Sequence, residues 1–158
     1  MKADKQSTPG GIDMTTINTL QIQRREILEI VAVVKGMLSP EQLRIGPIAK
    51  VAHILLCDLC EKMSEHLAEE HKGVYPSLLT HDNPEIKNMA WGLINKDKLL
   101  KPEFTKYKKR WLKDCEFQFT EAFLADTEGL LDTLQNRMDL EQKSVLPRLE
   151  KQHVIASV

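Results

Sequence analysis

The chain is poor in residues that interrupt or cross-link a backbone. Glycine and proline supply seven residues each out of 158, so long regular elements are allowed. Three cysteines form an odd, sparse set, which excludes a disulfide framework and suits a reducing compartment. No alternating apolar-polar run is bounded by turn residues, and there is no Asn-Gly or Asp-Gly hairpin pair, so β-structure is not expected. Net charge is only −1, too little for the whole molecule to attract nucleic acid or an acidic membrane. No segment approaches a membrane span, and Met1 to Gly11 lacks an apolar core of signal-peptide length, so a cytoplasmic location is expected. Also missing are a Gly-rich phosphate loop, a Ser-His-Asp set and a Cys-His nucleophile pattern. The chain is not expected to be an enzyme.

What is present is helical periodicity. Apolar residues make up 42% and charged residues 28%, a globular balance, and 158 residues fit one domain with a real core. Residues 1–12 read as a flexible tail, 13–152 as the helical domain and 153–158 as a second tail. Ile17, Leu20, Ile27, Val31, Val34 and Leu38 are spaced by threes and fours, predicting a helix from Thr15 or Thr16 to about Gly36. Ser39-Pro40-Glu41-Gln42 is a capping-box start. A long helix from Pro47 to about Lys72 carries Leu55, Leu56, Leu59, Cys60, Met63 and Leu67 inward, with Val74 continuing that stripe. Asn83-Pro84 begins a third helical region through Trp91 and Leu93, which Lys101-Pro102 should kink or break and which continues through Phe104, Tyr107 and Trp111. A fourth helix runs from about Phe119 to Val145, after a turn between Asp114 and Phe119. Four long amphipathic helices with short connections predict an all-α antiparallel up-down-up-down four-helix bundle.

Polar residues on the apolar stripes carry the information. Each residue turns a helix by about 100°, so seven residues return to within about 20° of the start. His66 lies seven after Leu59, and Glu70 seven after Met63. Glu141 lies seven after Leu134, with Arg137 four before it, and Arg24 lies seven before Val31. Three helices thus point polar groups inward. Two readings stay open. His66 and Glu70, at i and i+4, could ligate one metal ion, with Glu141 bridging from a facing helix. Alternatively, Arg24, His66, Glu70, Arg137 and Glu141 form a buried charge network, because core charges must be paired and arginine cannot ligate metal.

The stretch His66-Leu-Ala-Glu-Glu70-His-Lys-Gly-Val-Tyr75-Pro76-Ser-Leu78 resembles the signature of the hemerythrin-like (HHE cation-binding) family. Arg137-Met-Asp-Leu-Glu141-Gln-Lys-Ser-Val-Leu146-Pro147-Arg-Leu149-Glu150 is similar to that family's second copy. The likeness covers residues 15 to 150. It implies a four-helix bundle around a non-haem di-iron centre that binds or senses oxygen or nitric oxide, with metal ligands carried over as His66, Glu70 and Glu141. Arg137 and Arg24 stand where the family places histidines, and the third helical region has no histidine after His81. The resemblance therefore implies a degenerate metal site. Cys60 to Tyr75 and Leu134-x-x-Arg137-x-x-Leu140-Glu141-x-Lys143 also resemble the regulator-of-sigma-D (AlgQ-like) anti-sigma family, which implies a sigma-factor partner and no metal.

Cys57-Asp-Leu-Cys60 lies mid-helix and reads as two small buried residues. Lys96, Lys98, Lys101, Lys106, Lys108, Lys109, Arg110 and Lys113, interleaved with Tyr107 and Trp111, read as a solvated face diluted by Asp97, Glu103 and Asp114. His53, His71, His81 and His153 read as surface or cap residues. The expected function is a non-enzymatic regulatory or binding protein with a protein partner and no cofactor. Non-haem iron with a small gas ligand is the alternative, and an anti-sigma-like regulator the third. Neither a membrane nor nucleic acid is expected as a partner.

Overall fold

The computed structural model of the chain describes residues 11–113 and 120–151. The described residues are helical almost throughout: α1 Met14–Met37, α2 Pro40–Leu43, α3 Gly46–Gly73, α4 Tyr75–Leu79, α5 Pro84–Tyr107, α6 Glu121–Leu140 and α7 Leu146–Lys151. A π-helical turn, Lys108–Leu112, prolongs α5, and another, Glu141–Val145, joins α6 to α7. The expected turn between Asp114 and Phe119, Cys115, His153 and both tails outside residues 11–151 lie beyond the described residues.

Side-chain caps set most of the helix starts. Asp13 Oδ1 accepts from Thr15 N at 2.9 Å, so α1 begins a residue before the expected threonines. Ile12, assigned to the tail by sequence, is fully buried and shares an apolar cluster with Ile17. These are the N′ and N4 positions of a hydrophobic staple, which fixes how the chain enters α1. Ser39 Oγ accepts from Gln42 N and Asn83 Oδ1 from Glu85 N, as their spacing predicts. Thr120 Oγ1 accepts from Phe123 N, starting α6 at Glu121 rather than Phe119.

Pro102 does not break α5, which continues through Phe104 to Tyr107. It lies on the exposed side, where the Lys98 carbonyl it cannot serve faces water, while Leu100 and Phe104 on either side are buried. Burial of both flanks holds the helix across the missing bond.

α1 packs along α3 and against α6. The α1–α3 approach is close at Gly73, where a Cβ would meet Thr16 Cγ2 at 2.8 Å. The core divides into two apolar clusters. One holds Ile27, Met63, Leu67, Leu100, Phe104 and Met138; the other holds Leu20, Val74, Tyr75, Leu93, Val145 and Leu149. α1, α5 and α6 pass from one cluster to the other, α3 ends where the second begins at Val74, and the buried polar residues fall near the boundary.

Candidate functional site: a buried polar layer between two apolar clusters

The layer draws on all four long helices, one more than the sequence stripes indicated. α1 supplies Gln23, α3 supplies His66 and Glu70, α5 supplies Asp97, and α6 with its π turn supplies Arg137 and Glu141. Tyr75 joins from the first turn of α4. His66, Glu70, Asp97, Arg137 and Glu141 are all at most 7% exposed.

Arg137 is the hub. Its Nε donates to Asp97 Oδ1 at 3.0 Å, and its Nη2 donates to Glu70 Oε1 at 3.1 Å and to the Tyr75 hydroxyl at 3.0 Å. Nη1 lies 3.3 Å from Glu141 Oε1, off line for a hydrogen bond, so this contact is an ion pair only. Burial works against the guanidinium charge, but Glu70 and Glu141 outweigh it and push the Arg137 pKa up. Tyr75 donates in turn to Asp97 Oδ2 at 2.7 Å. Burial, reinforced by Glu70, pushes its phenol far up, so it keeps the proton it donates.

His66 Nε2 lies 3.1 Å from both Glu141 oxygens and 3.4 Å from Glu70 Oε1, and Nδ1 lies 3.0 Å from the Gln23 side-chain amide. Burial pushes the His66 pKa down, though Glu70 pulls it the other way, so the neutral ring dominates at neutral pH. A neutral ring has one N–H. The Gln23 Oε1 that faces Nδ1 accepts it, which leaves Nε2 as an acceptor for a carboxyl proton from the Glu70–Glu141 pair.

The charges do not cancel. One guanidinium faces three carboxyl groups, those of Glu70, Asp97 and Glu141. Glu70 relieves the excess by protonation. Burial raises its pKa well above the usual carboxylate range, and the adjacent Glu141 raises it further through charge and a shared hydrogen bond. Arg24 is half-buried rather than in the network and makes no ion pair among the described residues. It lines, with Glu70 and Glu141, a narrow cavity of about 20 Å³ walled by Ile17, Leu20 and Val74. That volume holds about one water. Gln23, one residue earlier, takes the place expected for Arg24. Both are half-buried and both carry a heptad signal, Gln23 seven before Ile30 and Arg24 seven before Val31, so the spacing does not separate them.

Asp97, read by sequence as dilution of a basic surface, is fully buried. It lies four after Leu93 and three before Leu100, on the inward stripe of α5, so the signal that would have found it was present. His71 is not merely a surface residue: its Nε2 lies 3.5 Å from Asp97 Oδ2 and its ring meets Tyr75 edge-on. His81 caps, with Nδ1 accepting from Asn83 N. Cys60 is buried and its thiol is pushed up to about 11 by burial, an inert core residue, while Cys57 beside it is half-buried.

His66, Glu70 and Glu141 offer ligand atoms within 4.8 Å of one another, the one group of three His, Cys, Asp or Glu with that geometry among the described residues. The donor set does not fit a two-metal centre. It offers one nitrogen and two carboxylates, and the Glu70 and Glu141 oxygens that face His66 also face Arg137. A divalent ion about 4 Å from that guanidinium would meet repulsion on the order of 8 kcal/mol at an effective dielectric of about 20. The same pattern comes from the chain itself: the π turn begins at Glu141, an irregularity of the kind that gathers at functional sites.

Compared with family models, curated proteins and solved structures, the chain finds no match. No helix among the described residues is long and apolar enough to cross a membrane.

Proposed function

We propose that this chain is a non-enzymatic binding or regulatory protein of the cytoplasm, built on a hemerythrin-like antiparallel four-helix bundle whose metal site has been replaced by paired charges. The observation that carries the reading is Arg137. A permanent cation sits within 3.0 to 3.3 Å of three carboxyl groups, at the place the hemerythrin-like signature gives to a histidine. The guanidinium does the electrostatic work of an ion: it ties α6 to α3 and α5 and neutralises carboxylates that could not otherwise be buried. Tyr75 and Asp97 fit this role, since both accept from the guanidinium and neither is needed to hold metal. The resemblance to anti-sigma proteins points the same way, toward a bundle that acts by binding a protein.

A second reading, a non-haem iron protein for oxygen or nitric oxide, is favoured by the convergence of His66, Glu70 and Glu141. Elemental analysis of protein purified from iron-rich culture separates the two. Iron well below one atom per chain is expected. About two atoms per chain would overturn the paired-charge reading. Replacing Arg137 with His restores the signature's ligand, and iron gained by that variant alone supports replacement of a metal by the guanidinium.

A further inference from the structure

We propose that the groove between α5 and α6 docks an acidic amphipathic helix of a partner protein. This goes beyond the reading of the buried layer, of which Arg137 alone also borders the groove.

The basic stretch carries a different meaning once folded. Asp97, one of its two carboxylates up to residue 113, is buried against Arg137 and subtracts nothing from the surface. Eight cations between residues 96 and 113 then face solvent with one exposed carboxylate, Glu103. Among the described residues only Arg110 of the eight forms an ion pair, with Asp126 at 3.0 Å. A chain of net charge −1 has concentrated unpaired positive charge on one element.

A groove runs beside that element. One part, of about 460 Å³, lies between Lys106 and Arg110 of the α5 side and Asp126, Gly129 and Leu130 of α6. The other, of about 270 Å³, lies between Lys96 and Leu99 of α5 and Asn136 and Leu140 of α6. Glu103 and Thr133 border both, so the two parts lie end to end along α5. From Lys96 to Arg110 the groove follows the helix for about 20 Å at ~1.5 Å per residue, the length of a four-turn helix. Nothing lies within 4 Å of the place a Gly129 Cβ would occupy, so the floor is open there. Leu99, at the rim, is 73% exposed, the most exposed large apolar side chain among the described residues.

The chemistry selects the occupant. Exposed Leu99, with the edges of Leu100, Leu130 and Leu140, suits the apolar stripe of a helix. Of the eight cations Lys96, Lys106 and Arg110 line the groove, and Arg110 is paired with Asp126. The two lysines outnumber the remaining carboxylate, Glu103, and suit acidic residues beside that stripe. Bases would want exposed aromatic faces. Here Tyr107 is buried against Thr127, and Trp111 is half-buried with Nε1 held by Asp126.

The test uses the full chain and a fluorescein-labelled synthetic peptide of about 18 residues, helical, with leucines on an i, i+3, i+4, i+7 stripe and glutamates elsewhere. Fluorescence anisotropy at low salt reads binding. The striped peptide is expected to bind at least about tenfold more tightly than a scrambled peptide of equal composition, and more weakly as salt rises. Leu99→Glu is expected to weaken it at least about tenfold without moving the thermal midpoint, since Leu99 is mostly in water. Lys96→Glu with Lys106→Glu should reverse the preference toward a peptide with lysine in place of glutamate. Equal binding of striped and scrambled peptides, no binding, or binding that survives Leu99→Glu overturns the proposal. So does tighter binding of a labelled single-stranded oligonucleotide, or a dimer in light scattering that Leu99→Glu dissolves. Iron content affects none of these readouts.

Discussion

Replacing Arg137 with methionine removes the cation of the buried layer while filling much the same space, so the effect is electrostatic rather than a cavity. Asp97 and Glu141 lose their ion pair, and the Glu70 carboxyl and the Tyr75 oxygen each lose a donor. Removing one partner of a buried pair costs about 3–5 kcal/mol. An independent bound comes from protonation. A carboxyl group with an ordinary pKa near 3.9 can be neutralised at pH 7 for about 4 kcal/mol, and at pH 5 for about 1.5 kcal/mol. The orphaned group takes whichever route is cheaper. The loss should therefore be about 3–5 kcal/mol at pH 7 and roughly 1–2 kcal/mol at pH 5. For a chain of this size the neutral-pH figure is a fall in Tm of about 6–20 °C. The sign is consistent: in the variant the folded state binds more protons than the unfolded state above pH 4, so its stability drops as pH rises. Urea unfolding of wild type and variant from pH 5 to 8 measures this. A variant within about 0.5 kcal/mol of wild type at pH 7, or one whose deficit does not change with pH, refutes the account. Asp97→Asn added to Arg137→Met should recover part of the loss, because it removes one orphan.

Tyr75→Phe deletes a hydroxyl that donates to Asp97 and accepts from Arg137, and should cost about 1–3 kcal/mol in thermal or urea unfolding; a neutral result would mean that water replaces it. Glu70→Gln tests the proton on Glu70. Because its folded pKa lies above the unfolded value of 4.5, the wild type loses stability as pH rises from there, and the glutamine variant lacks that term. The stability of E70Q relative to wild type should climb by up to about 1.4 kcal/mol per pH unit above pH 4.5, and parallel curves would count against it. Gly73→Ala should cost about 1–3 kcal/mol by pressing on Thr16 Cγ2, and Thr16→Ser, which lacks that methyl, should relieve it in the double variant.

Helix identity was legible from the chain because it depends on neighbours. Ser39 and Asn83 cap the helices their spacing announces, and the three-four periodicity of Ile17 to Val34 places one face of α1 inward. The same periodicity found His66, Glu70, Arg137 and Glu141, since a polar residue seven from a buried leucine or methionine has few other places to go. Pro102 shows the limit of a local rule. A breaker acts on one bond, whereas the burial of Leu100 and Phe104 acts on the whole helix.

The partners across the layer were decided only by tertiary packing. Whether Gln23 or Arg24 enters, with both at helical spacing, depends on the rotation of α1 against α3 and α6, a matter of a fraction of a turn that no local sequence encodes. Asp97 looked like one more charge on a basic helix until α5 took its orientation, which placed that carboxylate against Arg137 and left the lysines outside. Sequence determined which helices form and that His66, Glu70, Arg137 and Glu141 point inward. The fold decided which groups these meet, because an ion pair between residues 40 apart, as Arg137 and Asp97 are, exists only once the helices that carry them have packed.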